Sequence, residues 1–415
     1  MWFGRSARRG MDTRLEQELH RVRKAAGRRS EGAFVLEAAP DRSGTAGVVD
    51  YLYKSGDVLV DDMDLARVEK YLRGSRVRFE VADALIGGVT VLRVRTDVRR
   101  LVDRADAALG VGVVTPNHVL DVQPLAVLCP ADEPRPATPD QRWPTTADAS
   151  LGSGVRVAVV DTGFVPGHER ALPWLSGVDR YDVDDDVYLK RGRRRIAPYG
   201  GHGTFSAGVV LSLAPGARVS VDDVLVGGVV DEATMVRQLT ESLADSPDLI
   251  CLSAGTYTRR NVPPKALAAF WEHRLRHHKG IALVAAAGNN GSRQPFWPAA
   301  FPWALGVGAL TRTGSERASW SNHGGWVDVL APGEDVVNAF PDGTYRYLDG
   351  SRAEFRHRMA RWSGTSFSTP IVAGLLAARM SRTGENGREA AAALRLEARD
   401  NHDPAVGPRV LLEAV

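Results

Sequence analysis

Beyond residue 154 the chain is apolar on both strand faces again and again: "VRVAVV", "RVSVDDVLV", "DLICLSAG", "GIALVAAAG", "ALGVGAL" and "WVDVLAPG". A strand with no polar face has nothing to offer water, so it must be covered on both sides. Segments of helical spacing alternate with these runs: "GTFSAGVVLSLA", "EATMVRQLTESLAD", "PPKALAAFWEHRLRHH" and the stretch after Ser366. The alternation predicts an α/β body over residues 155–415, with a mostly parallel central sheet between helical layers.

Residues 31–128 differ. "FVLEA", "DVLVD", "RVRFEVAD", "VTVLRVRT" and "VGVVTPNHVLDV" read as valine-rich strands, with helical spacing in "MDLARVEKYLRG" and "DVRRLVDRADAAL". That set predicts a small α+β domain. Residues 129–154, rich in proline, alanine, aspartate and threonine, read as an exposed linker. Residues 1–30 read as a charged arm.

Composition excludes several classes. Of 415 residues, 44% are hydrophobic and 25% charged, as in soluble globular proteins. A net charge of +3 does not argue for nucleic acid. No apolar run reaches the ~18 residues that would argue for a membrane. The basic N-terminus lacks an apolar core and a small-residue cleavage site, so a cytoplasmic location is expected. The two cysteines, Cys129 and Cys251, exclude a disulfide scaffold; Cys251 reads as a small buried hydrophobe.

In an open α/β sheet, chemistry gathers at the carboxyl ends of the strands. "VRVAVVDTGF" ends in Asp161. "YGGHGTFSAG" places His202 among glycines at a helix start, where histidine can move a proton near neutral pH. "GTSFSTPIVAG" places Ser366 at a helix N-terminus, where unpaired amides favour developing negative charge. "AAAGNNG" ends in Asn289, an amide donor suited to an oxyanion. Taken singly, each of these residues also reads as a turn or capping residue.

Together, in the order Asp, His, Asn, Ser, these motifs resemble those of the subtilisin-like serine proteases, over roughly residues 150–415. The resemblance implies a subtilisin-like three-layer αβα fold. It implies Asp161 orienting His202, His202 as general base and acid, Ser366 as nucleophile, and Asn289 with the Ser366 amide as oxyanion hole. It also implies that Ser253, Ala254 and Gly255 line the cleft for a protein or peptide substrate, and that "GSRQPFWPAAFPW" builds the rest of the side-chain pocket. Thr365 and Ser368 are expected to support the nucleophile turn. The sequence departs from the usual pattern at Phe205, Ser206, Phe367, Ser368 and Ile371, and lacks the aspartate often found just before the catalytic histidine. None of these changes removes a reacting group.

The resemblance further suggests a propeptide-like role for the N-terminal domain, as an intramolecular inhibitor whose tail enters the cleft. The rival is a sensor or partner-binding domain. No cofactor is required. The acidic run Asp182, Asp184, Asp185 and Asp186 could hold a structural calcium, although a solvated loop is the simpler reading. The basic run Lys190 to Arg195 likewise reads as a surface loop, against a docking patch or an activation site. The functional alternative is a catalytically silent peptide-binding module. A lipase-like nucleophile elbow is disfavoured because Ser368 stands where its second glycine belongs. A pepsin-like site is disfavoured because the chain has a single DTG.

Overall fold

The computed structural model describes residues 36–40, 49–85, 87–122, 133–347, 349–403 and 406–410. The predicted arm at 1–30 and Cys129 lie outside them.

The N-terminal domain comprises β1 (Leu36–Pro40), β2 (Val49–Asp61), α1 (Asp62–Gly74), β3 (Phe79–Leu85), β4 (Val89–Val94), α2 (Val98–Leu109) and β5 (Val114–Asp121). Its antiparallel sheet runs β5-β2-β4-β3, with β1 on β2. Side-chain alternation divides this sheet between two cores. Val58, Val60, Leu92 and Val94 pack with Val68, Leu72, Leu101 and Val102 of the domain's own helices. Leu59, Val89, Val91 and Leu120 pack instead with Val236, Leu239, Leu267 and Phe270 of the following domain. The expected α+β domain is therefore present, and its second apolar face is covered by the α/β body.

After β6 (Arg135–Pro136), the α/β body runs β7 (Arg156–Asp161), α3 (His168–Ala171), β8 (Val178–Tyr181), β9 (Val187–Lys190), β10 (Arg193–Ile196), α4 (His202–Leu213), β11 (Arg218–Asp223), β12 (Val229–Asp231) and α5 (Glu232–Ser242). It continues through β13 (Leu249–Leu252), α6 (Lys265–His273), β14 (Ala282–Ala286), β15 (Ala304–Leu310), β16 (Val329–Pro332), β17 (Val336–Ala339), β18 (Gly343–Arg346), β19 (Arg352–Phe355), β20 (Met359–Trp362), α7 (Thr365–Thr383) and α8 (Gly387–Asp400).

The central sheet has the order β16-β15-β14-β13-β7-β11-β8, and every pairing in it is parallel. Alternate residues of β7 face opposite layers: Val157 and Val159 join the α4–α7 core, and Ala158 and Val160 join the α5–α6 core. The all-apolar runs are thus explained by two-sided cover.

Two features depart from the sequence reading. The described part of the expected linker, residues 133–154, lies along the α/β body. Trp143 and Val337 exchange backbone hydrogen bonds of 3.0 and 3.1 Å, β6 pairs with β20, and Ala137 and Leu151 are buried. The basic run is not a loop: β9 and β10 form a hairpin continued by β18 and β19 into a four-stranded sheet.

Candidate active site

Asp161 closes β7 and is fully buried. Its two carboxylate oxygens lie 2.7 and 2.9 Å from Nδ1 of His202, at the first position of α4. The Thr162 amide donates to Oδ1 at 2.8 Å and the Ser206 hydroxyl to Oδ2 at 3.1 Å. Three donors therefore share one buried carboxylate and fix its orientation. Phe367 and Trp362 cover the imidazole, each with its ring centroid 5.2 Å away. Such apolar cover strengthens the Asp161–His202 interaction. Gly203 packs its Cα against the Gly163 carbonyl, closer than any Cβ would allow, so β7 and α4 meet at the two acidic and basic groups.

Ser366 stands in the first turn of α7, where amides have no intrahelical acceptor. The surrounding hydroxyls are spent on structure. Thr365 donates its amide and its hydroxyl to Asn289 Oδ1, each at 2.8 Å. Ser368 donates to the Ala331 carbonyl at 3.0 Å, Thr369 to Thr365 O at 2.8 Å, and Ser363 accepts the Asp335 amide at 3.0 Å. The expected support by Thr365 and Ser368 is of this kind. With Oδ1 of Asn289 doubly occupied, its Nδ2 is left on the side of Gly364 and the Ser366 turn.

The Ser366 hydroxyl donates to the carbonyls of Ser253, at 3.3 Å, and Val122, at 3.2 Å. Ser253 in turn donates its own hydroxyl to the Ser366 carbonyl at 2.9 Å. Val122 ends the described part of the N-terminal domain's last strand. Just before it, Asp121 and Gly255 exchange backbone hydrogen bonds of 2.9 and 3.0 Å, and the Val122 amide reaches the Gly228 carbonyl at 3.1 Å. The tail is thus an added strand between the segments at 226–229 and 253–255, in the manner of β-augmentation. β12 extends the N-terminal sheet by pairing with β5.

Phe296 packs its ring against the backbones of Gly255 and Gly288 and lies 5.0 Å from the Tyr257 ring. It occupies the space between the two segments that flank Ser366. This is the segment expected to complete the side-chain pocket.

Of the residues read from the sequence, the structure joins Asp161 to His202, Ser253 to Ser366 and Asn289 to Thr365 beside Ser366, with Gly255 paired to the strand that carries Asp121. The sequence reading gave Thr162 no role, noted Ser206 only as a departure from the usual pattern, and read Asp184 as part of a solvated or calcium-holding acidic run. Asp184 is buried; its Oδ2 accepts the Gly201 amide at 2.6 Å and the Thr162 hydroxyl at 3.4 Å, and its Oδ1 accepts the Asp186 amide at 2.9 Å. Burial, and then the neighbouring Asp186, push its carboxyl well above the usual carboxylate range. Asp186 accepts the Gly227 amide at 2.7 Å, and Asp182 the Asp223 amide at 3.2 Å. Asp182, Asp184 and Asp186 therefore face main-chain amides. Among the described residues no group of three or more His, Cys, Asp or Glu side chains is arranged to hold a metal. Cys251 is buried in β13, and burial pushes its thiol up. Among the described residues no helix is long and apolar enough to cross a membrane.

A profile described as the Subtilase family matches residues 152–406. The chain belongs to the subtilase family. It is 32% identical over 260 residues to the thermophilic serine proteinase of Bacillus sp. (strain AK1), an alignment covering 60% of this chain and 57% of that protein. It is 32% identical over 263 residues to thermitase of Thermoactinomyces vulgaris, covering 60% of this chain and 83% of that protein. The chain thus spans a little over half the length of the first of these subtilases. Fervidolysin from Fervidobacterium pennivorans, a keratinolytic enzyme related to subtilisin, shares the fold with a TM-score of 0.57. Its sequence identity is 19%, over 87% of this chain and 61% of that one. That likeness in fold reaches beyond the α/β body into the N-terminal part of the chain.

Proposed function

We propose that the chain is a serine endopeptidase whose N-terminal domain is its own inhibitor. The observation that carries this reading is the Val122 carbonyl lying against the Ser366 hydroxyl on a strand paired with Gly255. A polypeptide in the position of a substrate is what an acyl-transfer site must accept.

Asp161 takes the Nδ1–H of His202 and so fixes the tautomer that leaves Nε2 free as the base. When Val122 withdraws, the Ser366 hydroxyl turns to Nε2 and attacks the carbonyl of an incoming peptide bond. Nδ2 of Asn289 and the first-turn amide of Ser366 receive the oxyanion. His202 then returns the proton to the leaving amine, and water repeats the sequence to release the acyl-enzyme. Phe296 narrows the space between Gly255 and Gly288, which favours small side chains next to the cleaved bond.

A fluorophosphonate probe tests the chemistry. Covalent labelling of the folded chain that disappears in Ser366→Ala supports the peptidase. Folded protein that takes no label at any pH, even after the N-terminal domain is displaced, would support the silent peptide-binding module instead.

A further inference from the structure

The sheet β19-β18-β10-β9 carries one strongly cationic face. Arg193 lies opposite Lys190, Arg195 opposite Tyr188 and beside Thr344, and Arg346 opposite Arg352. Paired residues share a face, so Lys190, Arg193, Arg195, Arg346 and Arg352 point the same way. The alternate positions Ile196, Tyr345 and Phe355 are buried in the core beneath. Glu354 is the carboxylate that the register puts on the cationic side, and it is engaged by the Thr344 hydroxyl. Among the described residues none of the five cations makes an ion pair. A sheet anchored by its back face holds these charges at strand spacing, where they repel one another and attract an anion.

The face adjoins the catalytic groups. His202 follows Ile196, the last residue of β10, by six positions, at most about 20 Å of extended chain. Turns shorten that path: Ala197 donates to Asp186 O, Gly200 to Ala197 O and His202 to Tyr199 O. On the other side, Phe340 and Pro341, which lead into β18, press directly on Gly201. Both strands therefore begin or end beside the histidine.

We propose that this face is an exosite for an acidic segment of the protein substrate. The segment docks its carboxylates on Arg193, Arg195, Arg346 and Arg352 while a neighbouring bond of the same chain enters the cleft. Guanidinium groups suit this task because they bind carboxylates in paired, directional hydrogen bonds. Docking raises the local concentration of the bond to be cut, without any change at Ser366. The inference rests on the reading of His202 and Ser366 as catalytic. An acidic polypeptide is favoured over a nucleic acid because the face leads into a cleft already shaped for an extended peptide.

The test uses the full chain carrying Ser366→Ala and a fluorescein-labelled short polyglutamate peptide, with polyglutamine as its neutral counterpart. Anisotropy should show binding of the glutamate peptide alone, weakening steeply as salt rises from about 0.05 to about 0.3 M. The combined Arg193→Glu, Arg195→Glu, Arg346→Glu and Arg352→Glu variant should lose at least about tenfold in affinity, each contact counting a factor of a few. In the catalytically intact chain the same variant should raise KM for a protein substrate with an acidic segment and leave kcat unchanged. The salt dependence of the parent needs no variant to fold. Equal binding of both peptides, or indifference to salt, would overturn the exosite. So would tight binding of single-stranded DNA with no binding of polyglutamate, which would assign the face to nucleic acid. Loss of the peptidase reading would appear separately, as absent fluorophosphonate labelling with peptide binding intact.

Discussion

The Ser366 hydroxyl donates a hydrogen bond of 3.2 Å to the carbonyl of Val122, 244 positions earlier in the chain. On the proposed function, a carbonyl held at this hydroxyl marks the bond that Ser366 would cut. The parent should therefore yield a shorter chain whose new N-terminus lies just after Val122, while Ser366→Ala stays at full mass. Intact mass and N-terminal sequencing decide this; identical masses for both under all conditions would end the self-processing idea.

The tail should hold less firmly as pH rises. Asp121 is buried beside Gly255, its Oδ1 has no hydrogen-bond partner among the described residues, and burial alone pushes its carboxyl well above the usual carboxylate range. A bound-state pKa above the free value means that the docked tail prefers the protonated acid. Its contribution is fully present below the free pKa of about 4 and is lost as pH rises through the raised value. The Asp121→Asn chain should keep its N-terminal domain in place at higher pH than the parent. Activity against a peptide substrate, followed from acid to alkaline pH, should show a later onset in the variant.

Oxyanion stabilisation should depend on Thr365 through Asn289. Asn289→Leu should lower kcat by about 10²–10³, the usual loss for one such donor. Thr365→Val removes the hydroxyl that holds Oδ1 of Asn289 and also accepts the Gly288 amide at 3.1 Å. It should cost kcat less than Asn289→Leu, with KM little changed, and the double variant should be no worse than Asn289→Leu alone. Steady-state kinetics on the processed enzyme provide the comparison.

Phe296 should set the size of the residue accepted beside the cleaved bond. Opening the space with Phe296→Ala should shift the ratio of kcat/KM for phenylalanine over alanine at that position by at least about tenfold. A ratio is insensitive to the fraction of folded enzyme, which matters because removing a buried phenylalanine typically costs about 3–5 kcal/mol.

Asp184 should act on catalysis through position alone. It ties Gly201, next to His202, to Thr162, next to Asp161. Asp184→Ala leaves the Gly201 and Asp186 amides without their acceptor, a cost of about 1–3 kcal/mol for a buried group. Denaturant unfolding should register that loss, and steady-state kinetics should show kcat falling with KM little changed.

Sequence alone determined the parallel sheet, the helices around it and the strand and helix ends that carry Asp161, His202, Asn289 and Ser366. These are local properties: apolar runs demand two-sided burial, and four polar residues at strand and helix ends, each ordinary alone, point one way when they occur together in order. The Thr365 and Ser368 hydroxyls could be read as supports for the same reason, since a helix start supplies their partners nearby. Only the tertiary structure decided that Val122 meets Ser366, that Asp184 turns inward to grip Gly201, and that Lys190 to Arg195 form strands sharing a face with Arg346 and Arg352. Each of these depends on which distant segment fills the space beside a side chain. Charge runs such as 182–186 and 190–195 look alike in composition whether they face water or a buried amide. Register and packing settle that difference, because a buried carboxylate must find donors and a paired strand must put alternate residues on opposite sides.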